Sequence, residues 1–338
     1  MIKKFFKYLK DSFKEEWKFI VLLLLTYIIL TSPVNYYIII GGGISDIDSR
    51  IKVEDSYDSK GSFNITFVSE LPGTVLTYLL SYVVPDWKRV DANDYKYDET
   101  ESMEDIQFRS DLDLKVANGT AVRWAYSLAD KKYEEIKSEI YVIAVDEKYK
   151  NDLKVQDRII SIGDKKYNDL NKYREYLQSF DIDDTVDIVV ERDNKKKKIS
   201  AKIYEENDRK IIGVVLKTSK EYETDPKVDI NFKASESGPS GGLITTLDIY
   251  DKLTKDDLTN SLKIAGTGTI EEDGSIGSIG EVKYKLLGAV SEDADVFLVP
   301  MGENYKTCVK VKKEKKLKIK VIGVKNISDA ITKLEKLK

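Results

Sequence analysis

The chain has 338 residues, 55 basic and 59 acidic, for a net charge of −4, with no histidine and a single cysteine, Cys308. Histidine-dependent serine or cysteine triads, His-ligated zinc, intramolecular disulfides and thiolate metal clusters are therefore excluded. A near-neutral balance gives no general reason to bind nucleic acid, and the 41% hydrophobic content suits a folded body of about two domains.

In chain order, Phe19 to Ile40 is apolar apart from Thr26, Thr31, Ser32 and Asn35. Read as one helix, residues 19–40 rise about 33 Å, enough for a membrane anchor, with Pro33 and Asn35 as points where the helix could kink or end early. No small-residue cleavage site follows, which favours an uncleaved anchor over a signal peptide. Lys3, Lys4, Lys7, Lys10, Lys14 and Lys18 precede it. The positive-inside rule makes 1–18 a cytoplasmic tail and sets the rest outside a cell membrane crossed once.

Residues 41–135 read as a polar stalk followed by an extracytoplasmic α/β region. Phe63, Ile65 and Phe67 alternate as a strand, 73–84 is helical, and 91–105 is a surface loop. Leu112, Leu114 and Val116 suggest a strand closed by an Asn118-Gly119 turn, with a helix over 120–130.

From 136 to 206 short strands surround one helix at Asp169–Phe180, and Lys195–Lys198 reads as a hairpin turn. The stretch QDRIISIGDKKY is similar to the GDxIxxINGxxI signature of PDZ domains, with Gln156 in place of the usual glycine. The resemblance implies binding of extended peptide by strand addition.

Val228, Ile230 and Phe232 lead as a strand into Ser235-Glu236-Ser237-Gly238-Pro239-Ser240-Gly241-Gly242, and helical spacing follows from Leu243. Ser240 thus stands on a strand-to-helix turn, where backbone N–H groups and the helix dipole suit an oxyanion. The same residues could equally form a turn with an N-cap serine. No Gly-Lys-Ser/Thr follows, which argues against a nucleotide-phosphate loop. Ile264–Ile270 is a further strand, Glu272-Asp273-Gly274 a turn, and Ser278–Ala289 leads into a helix before the strand Val296–Pro300.

Residues 210–338 resemble the proteolytic domain of Lon-type peptidases, whose motifs are GPSAG and G-x-I-x-x-x-G-x-v-x-x-IGG-x-x-x-K-xx-AA. The whole layout resembles the ATP-independent, membrane-anchored PDZ–Lon proteases of low-GC Gram-positive bacteria. The fold class expected is α+β: a transmembrane helix, a PDZ-like β-rich domain and a Lon-type Ser-Lys protease domain. By this resemblance Ser240 is the nucleophile, Lys285 the general base and Thr267 its hydrogen-bond partner, with Gly238, Pro239 and Gly241 shaping the oxyanion turn. Helical spacing favours Lys283 if the helix already includes it, so Lys285 stands on the resemblance, with Lys283 as the alternative base. Gly241 departs from the motif's alanine, Glu281 from its second glycine, and Glu236 is the only acid close before the serine. The implied activity is a serine endopeptidase acting on secreted or membrane-tethered peptides, with no metal, cofactor, nucleotide or nucleic acid, and with oligomerisation left open. The alternative is a non-catalytic PDZ scaffold at the cell surface.

Overall fold

The computed structural model describes residues 2–98, 101–149, 151–233, 236 and 238–337, with side chains from residue 16 onward. Two compact units are present: residues 1–41 with 68–96, and residues 42–67 with 97–338. Strands β1 (Pro33–Asp46) and β3 (Ser62–Thr74) each contribute residues to both.

The smaller unit begins with α1 (Ile2–Thr31). The single helix over 19–40 is corrected to the early end that Pro33 offered: α1 stops at Thr31, and Pro33 opens β1. Pro33 has no N–H to extend the helix and pushes the residue before it out of helical geometry. Thr31 Oγ1 and Ser32 Oγ bond back to the carbonyls of Tyr27 and Ile28 at 2.8 and 2.7 Å, closing the last turn. No described helix is long and apolar enough to cross a membrane. Within this unit Tyr36–Ile39 of β1 pair antiparallel with Asp91–Lys88 of β4 (Lys88–Asp91). The helix expected over 73–84 is the shorter α2 (Val75–Leu80), capped by Thr74, whose hydroxyl accepts from the Thr77 amide. A short 3-10 turn, Ala92–Tyr95, occupies part of the expected acidic loop, whose residues 99 and 100 lie outside the described residues.

In the larger unit the supposed stalk is part of the core. Ile47, Ile51 and Val53 are buried, the last two on β2 (Ile51–Val53). The strand expected at Leu112–Val116 and the turn at Asn118-Gly119 are also corrected, since both lie inside α3 (Met103–Leu128). Leu112, Ala117, Ala121, Val122 and Ala125 recur at helical spacing on its buried side. Gly119 is there for closeness: a Cβ would stand 2.5 Å from the carbonyl oxygen of Lys220.

The next part is a five-stranded antiparallel sheet built on β5 (Lys132–Val145), β6 (Arg158–Ile162), β7 (Thr185–Arg192) and β8 (Lys195–Lys202), with α4 (Leu170–Leu177) beside it. The lysines of 195–198 belong to β8; Asp193 and Asn194, both at positive φ, make the turn. After the small hairpin β9 (Tyr204–Glu206) and β10 (Arg209–Ile211), β11 (Val214–Asp225) returns to pair with β5 along its whole length. It forms one edge of the order β11-β5-β6-β7-β8. Gln156, standing where a glycine was expected, has φ 76°, the left-handed backbone a glycine would supply.

The chain then enters β12 (Val228–Ile230), which pairs with β2, and α5 (Gly242–Leu253). Beyond them come β13 (Lys263–Gly266), the two-residue strands β14 (Thr269–Ile270) and β15 (Ile276–Gly277), α6 (Val282–Ser291), β16 (Val296–Pro300), α7 (Glu303–Lys315), β17 (Lys320–Val324) and α8 (Ile327–Glu335). Strands β17, β16, β13 and β3 run parallel in that order. Strand periodicity divides the helices between two faces. Ile264, Val296 and Leu298 pack with α5 and α8, whereas Ala265, Phe297 and Val299 pack with α6 and α7.

Candidate active site

Strand β13 ends at Gly266, and Thr267 and Gly268 follow at its carboxyl end, where open α/β sheets gather functional groups. Helix α5 lies on one face of the sheet and α6 on the other, so their first turns bring residues of distant sequence to this point. Ser240 sits in the 3-10 turn Pro239–Gly241 directly before α5, and Lys285 is on the second turn of α6. Lys285 Nζ lies 2.9 Å from Ser240 Oγ and 3.1 Å from Thr267 Oγ1. Thr267 Oγ1 in turn donates to the Ser240 carbonyl at 3.1 Å, and the Gly268 amide donates to the same carbonyl at 2.8 Å. The turn is therefore held from two sides by the end of β13.

Lys285 is 7% exposed. Burial pulls its ammonium down to about 8, against the opposing pull of the Glu281 carboxylate one turn earlier. Lys283, the alternative left open by spacing, is half-buried and its ammonium stands over the Tyr284 ring, 5.3 Å from the centroid. Helix α6 starts at Val282, which turns residue 285, and not 283, toward the sheet end.

The motif departures acquire physical accounts. Glu281, in place of a glycine, has φ 56° and ψ 28°. It adopts the left-handed backbone at a cost of about 1 kcal/mol. Gly241 has an ordinary φ of −89°, but a Cβ there would lie 2.7 Å from Ile65 Cδ1. Glu236 accepts from Arg50 Nε and Nη2, both at 3.0 Å, from Ser45 Oγ at 3.3 Å and from the Lys233 amide at 2.7 Å. Arg50 and these hydrogen bonds outweigh burial and hold its carboxyl below the usual range. Arg50 and Ser45, read from sequence as stalk residues, thus pin the segment before the serine, while Ser235 and Ser237 lie outside the described residues.

Of the turn residues, Gly238 has φ 100° and donates its amide to the Ser110 carbonyl at 3.2 Å. The Gly242 and Leu243 amides go to the Pro239 and Gly268 carbonyls. Helix α5 starts at Gly242, with Gly241 as its N-cap. Among the described residues no cluster of acids and cysteine could hold a metal ion.

A hydroxyl beside a desolvated amine can lose its proton to that amine when the amine is neutral. The directionality follows from Thr267. Its one proton goes to the Ser240 carbonyl, so Thr267 Oγ1 accepts from Lys285 Nζ, which also donates to Ser240 Oγ.

Comparison with known proteins adds the following. Residues 113–203 match the PDZ domain family, and residues 217–336 match the Lon protease (S16) C-terminal proteolytic domain. No curated protein matches the chain. Among solved structures, the PDZ domain of an SdrC-like protein from Listeria monocytogenes is 22% identical, with TM-score 0.21, covering 23% of this chain and 85% of its own. The chain thus combines a PDZ domain with a Lon-type (S16) serine-protease domain.

Proposed function

We propose that this chain is a serine endopeptidase working by a Ser240–Lys285 dyad without ATP. The observation that carries the reading is the 2.9 Å approach of a buried, easily neutralised amine to the serine hydroxyl. Neutral Lys285 takes the proton from Ser240 Oγ as that oxygen bonds the scissile carbonyl carbon. The protonated amine then gives its proton to the departing peptide nitrogen as the C–N bond breaks. Water, deprotonated by the same lysine, hydrolyses the resulting ester. Thr267 holds the amine and the turn in register. The positive end of α5 favours the transient oxyanion. Its hydrogen-bond donors are assigned to the backbone of the turn that carries Ser240, directly before α5.

The substrates in this reading are flexible peptides outside the cell, since no nucleotide-driven unfolding step is invoked. The PDZ sheet, with β11 at its edge, presents them by strand addition. Membrane attachment is assigned to the apolar part of α1, where Phe19, Leu22 to Leu25 and Ile28 are all more than half exposed. The basic residues before it keep the N-terminus cytoplasmic.

The test is incubation of the full-length protein with a pool of unstructured peptides, followed by mass spectrometry. Wild type should produce new termini, whereas Ser240→Ala and Lys285→Ala should produce none while keeping the wild-type circular dichroism spectrum. Equal cleavage by Lys285→Ala would dismiss the dyad. Peptide binding without cleavage by wild type would leave the scaffold reading.

A further inference from the structure

The smaller unit carries a second apolar surface besides α1. Leu76 and Leu79 of α2, with Tyr82 and Val83 in the turn after it, are 40%, 54%, 63% and 73% exposed. They do not stand apart from α1: the Val75 amide donates to the Ser32 carbonyl at 3.0 Å, joining the start of α2 to the end of α1. Aromatic rings surround the junction. Tyr36 and Tyr78 lie 5.1 Å apart, Tyr78 and Tyr82 5.7 Å, and Tyr37 and Tyr95 5.4 Å. The Arg89 guanidinium covers the Tyr82 ring at 3.7 Å and donates to Ser81 Oγ at 2.9 Å.

We propose that α2 and the turn after it form a second membrane contact, seating Leu76, Leu79, Tyr82 and Val83 among lipid chains beside the end of α1. The inference rests on the membrane attachment proposed above and extends it to a new element. Three observations select lipid as the occupant. First, Leu22, Leu23, Leu24 and Leu25 are consecutive and each more than half exposed. At 100° per residue they point to every side of α1, and a bilayer covers all sides where a docked protein covers one. Second, the apolar stretch Phe19–Thr31 rises only about 20 Å, against a hydrocarbon thickness of about 30 Å. An in-plane element at its end fits a helix that stops short. Third, tyrosines with an arginine over one ring are the side chains that settle at the boundary between headgroups and hydrocarbon, apolar body inward and polar tip outward.

The experiment uses the full-length protein in vesicles of phosphatidylcholine and phosphatidylglycerol. A polarity-sensitive fluorophore is attached in turn to Leu79→Cys, Val83→Cys, Leu24→Cys on α1, and Lys172→Cys on the exposed side of α4. Cys308 is fully buried and stays unlabelled. Emission at 79 and 83 should shift to the blue and lose intensity when lipids carry a nitroxide near the headgroup, as at 24 and unlike 172. Quenching at 24 with 79 and 83 behaving like 172 would overturn the second contact and leave the α1 attachment standing. A blue shift at 79 and 83 without nitroxide quenching would assign the surface to a protein and overturn the lipid occupant. No quenching at 24 would end the attachment itself and this inference with it.

Discussion

Thr267 Oγ1 donates to the carbonyl oxygen of Ser240 at 3.1 Å, so the threonine's single proton is spent on the backbone of the residue whose hydroxyl faces Lys285. Thr267→Val removes both that bond and the acceptor for Lys285. We expect kcat to fall about tenfold to a hundredfold with little change in KM. Thr267→Ser should restore most of the rate, which a purely volumetric effect would not do. Steady-state kinetics on a fixed peptide decides it.

A base works only when deprotonated, and burial brings Lys285 to about 8. The kcat/KM of the wild type should rise about tenfold per pH unit below that value and flatten above it. Because the Glu281 carboxylate opposes the shift, Glu281→Gln should move the midpoint to lower pH. Activity at pH 7 should then increase about twofold to threefold. A midpoint that moves upward would contradict the assignment of the base.

The same burial sets a stability difference. Lys285 is protonated in the unfolded chain up to 10.5 but loses its proton near 8 when folded. Between those values the unfolded state binds more protons, so folding becomes more favourable as pH rises from 8 to 10.5. Below 8 the penalty is complete, about 3 kcal/mol. Lys285→Met should therefore be inactive yet more stable at pH 7 by about 2 kcal/mol, with the gain vanishing near pH 10.5. Urea denaturation at two pH values measures it.

Gly241 is limited by its neighbour and not by its backbone angle. Gly241→Ala places a methyl against Ile65 Cδ1 and should cost about 1–2 kcal/mol and part of the activity. Ile65→Val removes that carbon, so the double variant should recover most of both. Additive losses would show that the contact is not the cause.

Much of the catalytic half was legible because its signals are local. Gly-Pro-Ser-Gly before a helical run and the closing Val-Pro each mark a short element, whereas Thr267 and Lys285 were legible only through the resemblance to Lon-type peptidases; the three side chains meet at the end of β13. Lys283 against Lys285 was not decidable, because a two-residue difference depends on where α6 begins, and that start is set by Glu281 in a backbone conformation its sequence does not announce. Leu112–Val116 misled for a related reason. Alternation over five residues is a strand signal, yet these lie in a 26-residue helix whose packing against β11 overrides it. β11 itself was missed, since its mixed polar composition is explained only by its partner β5, some 80 residues earlier in the chain. The apolar run at 19–40 looked continuous to a hydropathy count, but Pro33 divides it into helix and strand.

One strand gives the peptide-binding module and the hydrolase a common spine. β11 is zipped to β5 along twelve residues, and two residues later the chain becomes β12 and then the serine turn. Only Pro226 and Lys227 stand between the end of that ribbon and β12. Excising residues 132–145 would strip β11 of its mate and expose a raw ladder edge upstream of Ser240. Module swaps in this molecule would have to exchange the ribbon together with whatever it carries.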